Sequence, residues 1–204
     1  MAIDRTLDPA MSRTPTDGVL QITITYLEMH KRPGTEVRAP RLEHLAIFQA
    51  RQPTVSFYRY LYNHVGEPWL WYERRALDDD ALREIIHHPA VSIHVLYFDG
   101  VPAGYVELDG RIDQEVELAY FGLLPEFIGR GIGPWLLSWA LATAWDRGPS
   151  RVWVNTNSLD HPKALLYYQR AGFVPYRQET IEIRDPRCSQ EWQVGHSLRG
   201  APPR

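Results

Sequence analysis

Cysteine is nearly absent: Cys188 is the single one among 204 residues. One thiol excludes an intramolecular disulfide and any multi-cysteine zinc site. Its setting, Asp185-Pro-Arg-Cys188-Ser, reads as a surface turn rather than the bed of a nucleophile. Lysine is almost as scarce, with only Lys31 and Lys163 among 22 basic residues. Against 25 acidic residues the net charge is −3, so the basic surplus of a phosphate-neutralising protein is missing and nucleic acid is not expected as a partner. Long apolar runs are missing too. The longest charge-free stretch near the middle, Gly131–Trp145, is fifteen residues, too short to span a bilayer. The opening Met1-Ala-Ile-Asp-Arg-Thr-Leu-Asp has no signal-peptide apolar core, so a cytoplasmic location and no membrane partner are expected. The eight histidines show no ligand spacing (His87-His88 with His94 lacks H-E-x-x-H), and no metal is expected.

What is present is a core. A hydrophobic share of 44% with 12% aromatics suits one globular domain with short tails. Residues 1–18, rich in Pro, Thr, Ser and Asp, read as a mobile tail, 19–194 as the domain, and 195–204 as a Pro/Gly/Arg tail. Residues 21–29 alternate with β-branched side chains and predict a strand, followed by a loop over 30–41 carrying Lys31, Arg32, Arg38 and Arg41. That basic run reads either as a solvated linker or as an anion contact. Further strands are predicted over 44–51, 91–98, 101–108, 115–124, 151–156 and 173–184, and helices over 57–65, 77–88, 134–145 and 160–171. The cluster Trp69-Leu-Trp-Tyr72 reads as core or as binding wall. This order implies an α/β (α+β) fold: one mixed, mostly antiparallel sheet with helices on both faces and a central β-α-β unit from 115–124, 134–145 and 151–156.

Between that strand and that helix lies Pro125-Glu-Phe-Ile-Gly129-Arg130-Gly131-Ile132-Gly133-Pro134. Glycines at alternate positions free the backbone and clear side chains from one concave surface. The N–H groups of 129–133 can then converge on an anion at a helix start. The spacing is neither the dinucleotide nor the Walker pattern, and a tight turn without ligand fits the loop taken alone.

Downstream, His161-Pro-Lys-Ala164, Tyr168 and Gly172-Phe173 complete a pair of motifs. With Ile128-Gly-Arg-Gly131-Ile-Gly133, the chain over about 44–184 resembles the Gcn5-related N-acetyltransferase (GNAT) superfamily. Two positions depart from its pattern: Ile128 replaces a usual Gln or Arg, and His161 a usual Asn. The strand at 20–29 looks like an addition, expected to pair with a sheet edge. The resemblance implies acetyl-CoA as co-substrate, its pyrophosphate on the amides of Gly129, Arg130, Gly131, Ile132 and Gly133. It also implies that the pantetheine arm follows the strand ending at Leu123-Leu124, with His161 nearby. That strand is expected to splay from 151–156, with Gly122 allowing a bulge.

The resemblance further implies an acyltransferase acting on a small-molecule or peptide amine, with Tyr168 as general acid to the leaving thiolate. A plain core tyrosine is the other reading of Tyr168. For the base, alternation is expected to place Glu117, Ala119, Phe121 and Leu123 on one face. Glu117 falls where lysine-acetylating branches of the superfamily carry their base, though an edge carboxylate paired with an Arg fits as well. Glu115 is the second choice. A non-catalytic acyl-CoA-binding or sensing module on the same fold, and a transferase using charged tRNA, are the alternatives; the net charge opposes the latter. Oligomeric state, monomer or homodimer, is left open.

Overall fold

The computed structural model describes residues 18–34, 37–40 and 44–189. Apart from Gly18, both expected tails lie outside these residues, as does Arg41. Seven strands form one sheet: β1 (Val19–Met29), β2 (Leu45–Ala50), β3 (Val91–Phe98), β4 (Val101–Asp109), β5 (Glu115–Leu123), β6 (Arg151–Asn157) and β7 (Val174–Arg184). They lie in the order β2-β3-β4-β5-β6-β1-β7, and β5–β6 is the one parallel pair among the described residues.

Four helices cover the sheet: α1 (Val55–Gly66), α2 (Asp79–Ile86), α3 (Ile132–Trp145) and α4 (Ala164–Arg170). Thr54 caps α1 by accepting from the Phe57 N–H at 3.2 Å, and Asp78 caps α2 by accepting from Asp80 and Ala81 at 3.1 and 2.8 Å. The expected long third helix begins two residues earlier than its proline suggests, at Ile132. The last helix begins later, at Ala164, because residues 157–163 form turns held by side chains instead.

Two cores result. On one face α1 and α2 bury Tyr58, Leu61, Tyr62, Leu82 and Ile86 against Ile93, Val95 and Tyr105. On the other, Leu136, Leu137, Ala140, Leu141 and Ala144 of α3, with Tyr168 of α4, pack on Val106, Leu108, Val116, Leu118, Val152 and Val154.

The N-terminal strand is no edge addition. β1 lies inside the sheet, paired antiparallel to β6 over Ile24–Met29 and to β7 over Val19–Glu28. Ile22, Leu27 and Met29 are buried, and the strand's two neighbours leave it no free edge along the paired residues. β7, with Val174 and Tyr176 exposed, is the edge instead.

A second correction concerns β5. Its pairing with β4 shifts between Glu107↔Tyr120 and Leu108↔Leu118, leaving Ala119 as a bulge. A bulge reverses side-chain parity beyond it. Val116 and Leu118 therefore share the α3 face with Phe121 and Leu123, while Glu117 shares the α1 face with Tyr120 and Gly122. The expected common face of Glu117, Phe121 and Leu123 does not form. Gly122 is not the bulge residue; a Cβ there would lie 2.4 Å from Val65 Cγ1, so glycine is what lets α1 approach the strand.

Candidate functional site

β5 and β6 run together only from Glu115↔Arg151 to Glu117↔Trp153. Past that point the strands part, and a cleft of about 390 Å³ opens between Ala119–Leu123 on one side and Asn155 and Asn157 on the other. This is the splay the sequence led us to expect. Its α3 end is formed by Gly129, Gly131, Gly133 and Pro134, and Tyr168 and His161 line it from the α4 side.

Gly129 and Gly131 have φ of +83° and +76°, the left-handed region, and a Cβ at either would meet nothing within 4 Å. The cradle is therefore clear of side chains, and Gly131 is the N-cap of α3. The first N–H groups of a helix have no acceptor within it. Donors and helix dipole converge on one mouth of the cleft, and these features fit a pyrophosphate. Pro134 in the first turn removes one donor.

The other loop and strand residues separate. Leu123 lines the cleft, whereas the Leu124 side chain is buried among α1-face residues and its N–H donates to the Ala103 carbonyl at 2.9 Å. Ile132 is fully buried on the α3 face. The Arg130 guanidinium lies over the rings of Phe98 and Phe127, 5.5 and 5.2 Å from their centroids, and donates to the Glu126 carbonyl. His161 Nδ1 accepts from the Lys163 N–H at 3.1 Å, and its ring meets Trp69 edge-on. Burial, with Lys163 nearby, lowers its pKa, so the imidazole is neutral at pH 7.

The Tyr168 ring packs edge-on to Phe121 and Phe173. Burial, reinforced by Asp160, raises its hydroxyl pKa, so it holds its proton throughout the neutral range.

The family comparison settles which known proteins this arrangement belongs with. The acetyltransferase (GNAT) family profile matches residues 58–173. The chain belongs to the GNAT family. It is 36% identical over 90 residues to an uncharacterized N-acetyltransferase of Mycobacterium tuberculosis, an alignment covering 44% of this chain and 57% of that protein. The match thus spans little more than half the length of this relative. Among solved structures, a GCN5-related N-acetyltransferase from Kribbella flavida superposes with TM-score 0.55 at 18% identity, over 83% of this chain and 60% of that one. A conserved protein of unknown function from Staphylococcus epidermidis gives 0.59 at 18%, over 90% and 69%.

The two carboxylates singled out in the sequence, Glu117 and Glu115, lie on the aligned part of β5 before this GNAT cleft. Glu117, beside the fork, accepts from Asn155 Nδ2 at 3.4 Å, and Asn155 itself lines the cleft. Burial raises the Glu117 pKa to about 7, helped by the charges of Asp109 and Glu107 and opposed by Arg74 and Arg111. Glu115 is engaged elsewhere: Arg151 bridges it, at 3.1 Å, to Glu28 at 2.7 Å.

Glu73 went unnoticed in the sequence. It lines the cleft with Trp69, Trp71 and Tyr120, and accepts from the hydroxyls of Tyr62 and Tyr120 at 3.2 and 3.4 Å. The tryptophans of the aromatic cluster are thus cleft wall. Asp160 was also missed. It ties the turn after β6 to Trp71, accepting from Trp71 Nε1 at 3.2 Å and from Thr156 Oγ1 and the Asn157 N–H at 2.9 Å. Neither residue carries a spacing signal, since they meet only through the fold.

Of the basic loop, Lys31 and Arg32 line a second cavity of about 450 Å³ that meets the first at Pro134, and Arg32 pairs with Asp146 at 2.6 Å. Among the described residues no group of three or more His, Cys, Asp or Glu could hold a metal, and no helix is long and apolar enough to cross a membrane.

Proposed function

We propose that the protein is an N-acetyltransferase that moves the acetyl group of acetyl-CoA directly to a primary amine. The observation that carries this reading is the parting of β5 and β6 in front of a side-chain-free cradle at the α3 N-terminus. The amides of 129–133 would hold the pyrophosphate, and the main chain up to Leu123 would carry the pantetheine arm. The bound co-substrate supplies an acetyl thioester. Lys31, which lines the second cavity with Pro134, would be a further contact for the phosphates.

The chain's own residues then divide the proton work. Direct transfer needs an uncharged amine, and an alkylamine near pKa 10 is almost wholly protonated at neutral pH. Glu117, with a pKa near 7, is tuned to accept that proton, by way of the Asn155 side of the cleft. Tyr168, kept protonated by burial, donates to the departing sulfur. Burial raises both groups, which leaves the acid protonated and gives the base a pKa near neutrality.

Calorimetric titration with acetyl-CoA, followed by a panel of amines assayed for CoA release, tests the reading. Saturable acetyl-CoA binding with amine-dependent CoA release supports it. Failure of folded protein to bind acetyl-CoA overturns it, and binding without release to any amine would leave a sensing module.

A further inference from the structure

The charges and rings on the cleft wall point to the chemistry of the acceptor, if the transfer reading above holds. The glycine cradle occupies the α3 side, so an acceptor must approach from the α1 side, where Trp69, Trp71, Glu73 and Tyr120 line the cleft. No Lys or Arg lines this cleft among the described residues, and its one imidazole, His161, is held neutral by burial. On that side Arg74, which lies over the Tyr120 ring, is committed to Glu107 at 2.8 Å. An acceptor bearing a carboxylate or phosphate would find no side-chain cation in the cleft.

Positive charge is served instead. Of the two carboxylates on the wall, Asp160 spends its oxygens on Trp71, Thr156 and Asn157. Glu73 is exposed, and among the described residues its hydrogen bonds come from tyrosine hydroxyls that donate to one oxygen, Oε2. Half-buried indoles in the same wall are the rings a cation favours.

We infer that this wall is a second-cation subsite: the acceptor is a diamine or polyamine whose non-reacting ammonium sits on Glu73 against the tryptophan faces. The reacting amine then points toward the fork at Glu117 and Tyr168. A charge-assisted contact of this kind is worth roughly ten- to a hundredfold in affinity.

The test compares putrescine with butylamine, which differ by one terminal ammonium, titrated calorimetrically into protein saturated with CoA. Putrescine is expected to bind at least tenfold more tightly, and Glu73→Gln to remove most of that preference. The exposed Glu73 lies outside both cores, so the variant should melt with wild type, which circular dichroism checks. Equal affinities, absent binding of both amines, or a preference that survives Glu73→Gln would overturn the subsite. CoA binding is read first in the same cell; its loss counts against the cradle and the transfer reading rather than against the subsite.

Discussion

Glu117 and Trp153 are the last aligned pair of β5 and β6, so the carboxylate with the strongly raised pKa stands where the sheet divides. Burial and the neighbouring Asp109 and Glu107 charges favour its neutral form, giving a pKa of about 7 against an ordinary 4.5. The folded state therefore holds a proton that the unfolded chain has lost between those two values. Stability should fall as pH rises through that window, by ~3 kcal/mol at most, and stay level above it. Glu117→Gln should abolish the fall. In kinetics, wild-type kcat/KM should climb to a plateau as pH passes about 7, and Glu117→Gln should lose that limb while recovering part of its activity at high pH, where solvent supplies free amine. Parallel rate profiles from pH 6 to 10 would deny Glu117 the base's role.

Tyr168→Phe keeps the ring contacts with Phe121 and Phe173 and deletes one hydroxyl. With the general acid gone, kcat should drop roughly 10²- to 10⁴-fold while acetyl-CoA affinity stays within about twofold. Steady-state rates and calorimetry separate the two. An undiminished kcat would reduce Tyr168 to a packing residue.

The fold was legible in the sequence because its elements are local: alternation, caps and glycine-proline breaks mark all seven strands and four helices. The cleft's α3 side was legible for the same reason, since Gly129–Gly133 and Tyr168 belong to contiguous motifs. What could not be read was whatever depends on pairing partners. The Ala119 bulge is invisible until β4 is laid against β5, yet it moves Phe121 and Leu123 to the face opposite Glu117. Likewise nothing in residues 19–29 says that they enter the sheet between β6 and β7. Glu73 and Asp160 are carboxylates of ordinary aspect, brought to the wall by contacts 89 residues apart in the case of Trp71 and Asp160.

Gly131 separates strain from occlusion. Its φ of +76° strains any L-residue by ~1–2 kcal/mol, but open space surrounds its Cβ position, so Gly131→Ala should fold and lose only about that much stability. Gly131→Glu sets a charge and a side chain in the cradle, and acetyl-CoA affinity should fall at least 10²-fold beyond any loss seen with alanine. Titration calorimetry on both variants, with thermal melts alongside, reads the difference. Near-wild-type binding by folded Gly131→Glu would place the pyrophosphate elsewhere.

Glu107 ties the stability of the α1 face to the tuning of Glu117. Its fully buried carboxylate accepts from Tyr58 at 2.5 Å and from Arg74 at 2.8 Å. Glu107→Leu leaves the Arg74 guanidinium, only 13% exposed, without its counter-charge, and should cost about 3–5 kcal/mol in chemical denaturation. Replacing both, Glu107→Leu with Arg74→Met, removes the orphaned charge and should restore much of that loss, because two desolvated charges contribute little net stability when paired. The milder Glu107→Gln keeps an acceptor for Tyr58 while deleting the negative charge. That charge raises the Glu117 pKa and Arg74 lowers it, so the variant should shift the rate limb to pH values below about 7. The two readouts test one network from opposite sides: a single Glu107→Leu variant as stable as the double one would mean that the ion pair does not carry the face. An unmoved limb in Glu107→Gln would mean that the limb belongs to a group other than Glu117.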